Sequence, residues 1–326
     1  MRDIWKPGAR HYLERFGFTV RNSTALCLAP CLITGTLKKA QRLAAGLKGQ
    51  NLTINKRGPR LYRCPRPGRI AHEHGVPLIV DNTFATPVNC RPFAWGADIV
   101  IHSTTKYMDG HGAAVGGVIV DSGRFDWMKS PDKYPGLTRP DESYHGLVFT
   151  ERFGLAGAYI TKAVTHLMRD IGAVQSPVNA YMLNLGLESL HLRIKRHCEN
   201  GDAVAKYLAA HPKIEYVKHC SLPDGEYYQL AQKYLANGSC GVVSLGVAGG
   251  RGAAERFMNS LKRCIIATHV SDARSCVLHP ASSTHRQMTD EQLVAAGIRP
   301  NFVRLSVGIE DIGDLLEDIG QALDTA

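Results

Sequence analysis

Short apolar runs follow one another after residue 70 and predict the strands of a sheet. The first run, VPLIV from Val76 to Val80, is continuous, which is typical of a strand buried on both faces. ADIVI at Ala97 to Ile101 and GVIV at Gly117 to Val120 follow it after intervening turns. Short apolar strands joined in this way indicate an α/β sheet.

Helical patterns dominate residues 151–210. We expect one interruption, at Ser176-Pro177, because a proline disfavours helical geometry in the residue before it. Strand and helix patterns then alternate from residue 211 to the end, in the order IEYV, SCGVVSLGV, AAERFMNSLKR, FVRLSV and IEDIGDLLEDIGQALDTA. This alternation predicts a smaller C-terminal α/β domain.

The first 69 residues have a different character. Their periodicity is weak, and residues 51–69 (NLTINKRGPRLYRCPRPGR) are basic and rich in Pro and Gly, so they cannot bury enough apolar surface to offset their ordering entropy. We therefore predict three parts: an irregular basic segment at 1–69, a large domain at 70–205 and a small domain at 206–326.

The positive charge of the chain is concentrated in that first part. The net charge is +10, and residues 22–69 contain ten basic side chains and no acidic one, so the rest of the chain balances to zero. A basic tail of this kind raises the hypothesis of nucleic-acid binding. Tyr62 is the one aromatic residue among the basic positions 38–69, which is a thin basis for base stacking, and we expect no nucleic-acid partner.

Composition favours a soluble protein with a sizeable core. The chain has 326 residues, 44% of them hydrophobic. No apolar run approaches the roughly 20 residues that cross a bilayer, and MRDIWKPGARHY lacks the apolar centre of a secretory signal, so we expect a cytoplasmic protein without membrane contact. The nine cysteines lack the spacing of zinc ligands, so we expect reduced thiols and no metal site.

Candidate chemistry lies between Val76 and Val120. Asp81 follows the first predicted strand and Lys106 the second, and ligands in open α/β sheets gather at the carboxyl ends of strands. Pyridoxal 5'-phosphate needs an amine for its aldehyde, an acid for its ring nitrogen and donors for its phosphate. Lys106, Asp81 and the hydroxyls of Ser103 and Thr105 offer all three. Each also has an ordinary interpretation as a surface lysine, a turn carboxylate or a local backbone partner.

The amino-acid sequence of this region resembles that of a known family. VPLIVDNTFATP, GADIVIHSTTKYMDGHG and GGVIVD are similar to stretches of the O-acetylhomoserine sulfhydrylases, within the cystathionine synthase and lyase family of pyridoxal-phosphate enzymes. The resemblance continues through the helical region and HPASSTHRQMTDEQLVAAGI to VRLSVGIEDI, so it covers about residues 70–326. It implies a partial pyridoxal-phosphate transferase fold of type I, with a mostly parallel sheet and flanking helices, plus a smaller C-terminal α/β domain.

The resemblance also implies roles for individual residues. Lys106 matches the lysine that forms the imine with the cofactor, Asp81 the partner of the pyridinium nitrogen, and Ser103 and Thr105 the phosphate-binding hydroxyls. Arg304 matches the arginine that binds the substrate's carboxylate. The implied reaction is γ-replacement in sulfur amino-acid biosynthesis: O-acetylhomoserine loses acetate and accepts sulfide or a thiol, giving homocysteine or methionine.

The chain departs from the family in two places. Residues 22–69 and the stretch before residue 11 lack what the family has there, so we expect an N-terminally truncated member that retains its cofactor weakly. His269 stands where the family has a serine or asparagine near the substrate carboxylate, and Ser271 where it has a glycine. We take His269 as a candidate substrate-binding residue, with a packing role as the alternative.

Two further hypotheses about function stay open, and an oligomeric state is implied. A lyase of the same family, acting on cystathionine or methionine, would use the same lysine and aspartate. A chain without its N-terminal part could also be a catalytically inactive remnant. Family members assemble as tetramers built from dimers, so the resemblance implies a homo-oligomer, a dimer or a tetramer, although the segment that reaches across is lacking here.

Overall fold

The computed structural model describes residues 67–326, so the basic segment that precedes them lies outside the described residues. The first element is helix α1, Pro67–Glu73, and its opening proline suits a first helical turn, where no backbone N–H is needed. Regular structure therefore begins within the segment that we expected to stay irregular to residue 69. Gly75 follows the helix with a φ of +61°, a backbone conformation that favours glycine.

A three-stranded sheet forms the centre of the N-terminal half. Its strands, in spatial order, are β1 (Ile79–Asp81), β2 (Ile99–Ser103) and β3 (Gly117–Asp121). β1 and β2 run parallel with Asp81 opposite Ile101, and β3 runs antiparallel to β2 with Gly117 opposite Ser103. All three predicted strands are confirmed, the first two shifted towards their C-terminal ends. As a result, Asp81 and Ser103 are the last residues of their strands.

Two features of this sheet differ from the pattern of a strand buried on both faces. β1 is only half-buried, and the apolar residues just before it, Val76 and Leu78, are the buried ones. β3 exposes Val118, Ile119 and Val120. Burial on both faces was therefore a wrong prediction for β1, because the run of apolar letters includes two residues that pack before the strand starts.

Helices follow the sheet, as the sequence predicts. Helix α2 is Thr86–Asn89, α3 is Pro135–Thr138, α4 is Phe149–Lys162, α5 is Arg169–Ile171 and α6 is Pro177–Ala209, with a π-helical turn at Ala163–Met168. The predicted interruption is confirmed: the side chain of Ser176 accepts a hydrogen bond from the N–H of Asn179 and caps α6. α6 is 33 residues long and passes through position 205, so the predicted division between domains falls inside a helix.

The C-terminal half is built on a five-stranded sheet with the order β4-β5-β8-β7-β6. Its elements are β4 (Ile214–Lys218), α7 (Tyr228–Tyr234), β5 (Val242–Val247), α8 (Gly250–Ser260), β6 (Ile265–Ile266), β7 (Cys276–Leu278), α9 (Asp290–Ala295), β8 (Phe302–Ser306) and α10 (Ile312–Asp324). Apolar residues of α6, α8 and α10 pack against β5 and β8 in one buried core. This arrangement confirms a smaller α/β unit at the C-terminus.

A second apolar cluster joins the two halves. Tyr107 and Met108, just beyond β2, pack against Leu190 and Ile194 of α6 and against Val242 of β5. The phenol oxygen of Tyr107 accepts a hydrogen bond of 2.9 Å from the N–H of Gly241, and the ring is fully buried. The loop after β2 is therefore fixed to the C-terminal half. Within residues 67–326, no helix is long and apolar enough to cross a bilayer.

Candidate active site

The edge of the first sheet brings Asp81 and Ser103 together through Thr83. The hydroxyl of Thr83 donates to Asp81 Oδ1 over 2.6 Å and accepts from the N–H of Ser103 over 2.8 Å. The N–H of Thr83 also donates to Asp81 Oδ1, at 3.1 Å. Because β1 and β2 are parallel neighbours that end side by side, their last residues share one edge, and Thr83 holds the carboxylate there.

Lys106 lies in the turn that leaves the same edge. Its N–H donates to the carbonyl of Ser103 at 3.3 Å, and its carbonyl accepts from the N–H of Gly110 at 2.7 Å. Thr105 uses its hydroxyl locally, accepting from the N–H of Gly116 at 3.1 Å and donating to the Gly116 carbonyl at 3.3 Å. Thr105 thus has the local backbone partners that the alternative interpretation expected.

Arg193 of α6 holds the loop that carries Lys106. Its guanidinium is buried and donates to the carbonyls of Tyr107 (2.9 Å), Met108 (3.3 Å) and Gly186 (2.6 Å). Gly110 has a φ of +72°, and a Cβ there would overlap the guanidinium. The loop can approach α6 this closely because position 110 carries no side chain.

Arg304 sits at the centre of the second sheet. It lies on β8 between β5 and β7 and is only 2% exposed. Its Nη2 donates to the carbonyls of Thr268 and His269, both at 3.0 Å. The structure thereby places Arg304 directly against the segment that carries the second substrate-binding candidate.

His269 lies near predicted site residues from both halves of the chain. Burial lowers the pKa of its imidazole below the usual value, and the charges of Lys106 and Arg304 act in the same direction. Asp272 and Asp109 act against this shift. The loop after β2 and the segment before β7 face one another, because Gly112 of that loop lies against His269 and Asp272.

Asp272 stands beside His269, at 3.7 Å between Oδ2 and Nε2. Burial raises the pKa of this carboxyl, but hydrogen bonds from the N–H and Nε of Arg274, with the charge of Arg274, outweigh it and lower the pKa overall. Gly112 covers the pair: a Cβ at this position would lie 2.7 Å from Asp272 Oδ2 and 3.3 Å from His269 Nε2. Its φ of +62° is also one that favours glycine.

The donor set at this edge suits pyridoxal phosphate. Asp81 supplies an anion for a protonated ring nitrogen, Lys106 an amine, and Ser103 a hydroxyl at the strand end next to that amine. Thr105 fits less directly, because its hydroxyl is engaged with Gly116. The chemistry of the residues therefore fits the cofactor, with the roles assigned to them standing as predictions.

Sequence reasoning missed four residues that organise this site. Thr83, two positions after Asp81, carried a local signal, because a hydroxyl there can bond back to the carboxylate. Arg193 and Tyr107 showed no such signal, since their partners lie 86 and 134 residues away. Asp272 was visible three residues after His269 but resembled an ordinary turn carboxylate.

Comparison with known proteins gives one consistent family. Residues 65–324 match the family model described as the Cys/Met metabolism PLP-dependent enzymes. A homocysteine synthase of Schizosaccharomyces pombe is 44% identical over 273 residues, covering 82% of this chain and 63% of that protein. The O-acetyl-L-homoserine sulfhydrylase of Leptospira meyeri is 43% identical over 263 residues, covering 78% of this chain and 59% of that protein.

A solved structure agrees with these relatives. It is the 2.35 Å crystal structure of a Campylobacter jejuni protein described as an O-acetylhomoserine (thiol)-lyase, with an N'-pyridoxyl-lysine-5'-monophosphate in its chain. The TM-score is 0.73 at 36% identity, covering 79% of this chain and 61% of that one. The chain thus spans about 60% of the length of the relatives it matches.

Proposed function

The chain belongs to the Cys/Met metabolism family of PLP-dependent enzymes, and from this premise we propose that it catalyses γ-replacement on O-acetylhomoserine. Sulfide or a thiol would replace acetate, giving homocysteine or methionine. One observation carries the proposal: Asp81, Ser103 and Lys106 are linked through Thr83 and the backbone at one sheet edge. The names of the relatives support the substrate.

Each residue at this sheet edge would bind a different part of the cofactor. Asp81, held by Thr83, would keep the ring nitrogen protonated, because a fixed anion favours the charged form of its partner. Ser103 would bind the phosphate, Thr105 would join it once its hydroxyl leaves the Gly116 carbonyl, and Lys106 would hold the aldehyde carbon. When bound, pyridoxal phosphate supplies an electron sink for negative charge at the substrate's α carbon.

The protein's own part in the reaction would be orientation and proton transfer. Arg304 would bind the substrate's carboxylate with its guanidinium, whose fork of N–H donors matches a carboxylate. His269 would lie beside that carboxylate. Lys106 Nζ would take the α proton and move protons at the β carbon, so that acetate leaves the γ carbon and sulfur bonds there.

Product formation tests the proposal directly. Purified chain with pyridoxal phosphate, O-acetyl-L-homoserine and sulfide should form homocysteine and acetate in equal amounts, and cystathionine alone should give no comparable turnover. Lys106→Ala should abolish turnover, whereas Lys129→Ala should leave it unchanged, because Lys129 is an exposed lysine on the surface. Turnover of cystathionine in preference to O-acetylhomoserine would instead support a lyase.

Partners and location complete the proposal. We propose a homo-oligomer, and the exposed apolar side chains on the first half of α6 support it, including Val178 at 60%, Tyr181 at 63% and Leu192 at 65% exposure. Light scattering on the purified chain would test this.

A cytoplasmic location is also proposed, supported by cysteines that are all free thiols within residues 67–326.

A further inference from the structure

His269 occupies a position where charged groups from three parts of the chain converge. Lys106 and Asp109 belong to the loop after β2, whose Gly112 lies against His269; Arg304 of β8 donates to the His269 carbonyl at 3.0 Å, and Asp272 lies on the same segment as His269. The side chain of His269 is 24% exposed, so it is neither a core residue nor a freely solvated one. An imidazole at this place can change its charge near neutral pH, which a serine or asparagine cannot do.

Hydrogen bonds from Arg274 favour the charged form of Asp272 beside this imidazole. Its side chain is only 3% exposed, and Oδ1 accepts from the N–H of Arg274 at 2.9 Å and from Nε of Arg274 at 3.1 Å. Oδ2 accepts from Nη2 of Arg274 at 3.3 Å and lies 3.7 Å from His269 Nε2, beside Gly112. A buried carboxylate oriented by its own hydrogen bonds can stabilise a protonated imidazole next to it.

In the chain without cofactor or substrate, burial and the charges of Lys106 and Arg304 lower the pKa of His269. Lys106 and Arg304 disfavour a second positive charge, and together with burial they outweigh Asp272 and Asp109, so the imidazole is mainly neutral at pH 7. A carboxylate bound at Arg304 would add a negative charge and offset that cation. The balance would then shift towards the protonated imidazole, because the carboxylate of Asp272 already favours it.

We propose that His269 and Asp272 form a proton-binding dyad, through which the site takes up a proton when a carboxylate ligand binds at Arg304. The ligand class is an amino acid or carboxylic acid, and the proton comes from solvent. This inference rests on the proposed function in one respect, the assignment of Arg304 to the substrate's carboxylate. It predicts that ligand affinity falls as pH rises, by at most about tenfold per pH unit.

Calorimetry of ligand binding measures the proton directly. The probe is 4-acetoxybutanoate, which has the carboxylate and acetyl ester of O-acetylhomoserine but no amine, titrated into the chain loaded with pyridoxal phosphate. Binding heats at pH 7 in PIPES and in imidazole, whose ionisation enthalpies differ and which carry no primary amine to react with the cofactor, give the number of protons taken up. We expect net proton uptake for the protein as it is, and uptake near zero for His269→Asn.

A matched control uses another histidine. His145 is exposed and has a φ of 55°, which asparagine tolerates, so His145→Asn should leave proton uptake unchanged. Binding without proton uptake, or equal uptake in His269→Asn and the parent chain, would overturn the dyad while leaving the proposed reaction standing.

A second measurement tests the dyad without any ligand. In the chain with labelled histidine, the resonance that disappears in His269→Asn identifies the His269 imidazole, and its titration is followed by NMR. Asp272→Asn should lower the pKa of His269, because it removes a neighbouring anion, and Lys106→Ala should raise it. A His269 titration that neither variant moves would refute the inference. Failure of the probe to bind, with both shifts present, would count against the carboxylate role of Arg304 and hence the proposed function.

Discussion

Arg193→Met tests how the fold positions Lys106. Methionine keeps much of the volume of the arginine stem but removes the donors to the carbonyls of Tyr107 and Met108. A buried carbonyl that loses its partner costs about 1–3 kcal/mol. Burial of the guanidinium is itself unfavourable and lowers the pKa of Arg193, although Asp109 and Asp272 partly compensate. The gain from removing this buried cation offsets part of the loss, and we expect a net destabilisation of about 3 kcal/mol.

Urea unfolding measures this loss. With a slope of about 3 kcal/mol per M, the midpoint of Arg193→Met should fall by about 1 M. Arg196→Met is the matched control on the same helix, because Arg196 is 54% exposed and has a surface ion pair with Glu199. That variant should change the free energy of unfolding by less than about 0.5 kcal/mol. Equal stability of Arg193→Met and Arg196→Met would mean that Arg193 does not fix the loop.

Three further predictions concern pH and backbone conformation. Burial lowers the pKa of His197 to about 4, so the unfolded chain binds the proton first as pH falls, and the free energy of unfolding should drop between pH 6.5 and 4. From pH 7 to 5 the loss is about 2 kcal/mol. Urea titrations should show that His197→Asn removes this loss. Ser271 has a φ of 71°, so Ser271→Gly should raise the free energy of unfolding by about 1 kcal/mol in the same assay, and no gain would refute the strain. Gly112→Ala should weaken cofactor retention, measured by absorbance after dialysis, because its Cβ would lie 2.7 Å from Asp272 Oδ2. The control is Gly146→Ala, which has a similar φ but open space around the added Cβ. Equal retention in both variants would contradict the close contact at Gly112.

Local rules account for the parts of the fold that the sequence predicts well. The Ser176-Pro177 step set the start of α6 because a cap and a proline act within one turn. The buried runs of β5 and β8 were recognisable because both strands are fully buried. β6 has two residues and β7 has three, and such short strands carry no periodic signal. The exposure of β3 depends on its neighbours in space, which a run of apolar letters does not specify.

The same distinction holds for the site. Lys106 and Asp81 could be proposed because each follows an apolar strand and lies in a specific stretch of sequence. The hydrogen bonds from Arg193 to the loop after β2 could not be predicted, because the partners lie 86 and 85 residues away and are backbone carbonyls, which any residue supplies. The approach of Gly112, in the loop that carries Lys106, to His269 likewise depends on how the two sheets face each other.

The central claim is that Lys106 is the amine that holds the cofactor at the edge shared with Asp81. Borohydride reduction of the chain loaded with pyridoxal phosphate, followed by digestion and mass spectrometry, measures this most directly. Lys106 should carry most of the pyridoxyl label, and much less of it after Asp81→Asn. A label spread over exposed lysines such as Lys129, with Lys106 unmodified, would contradict it.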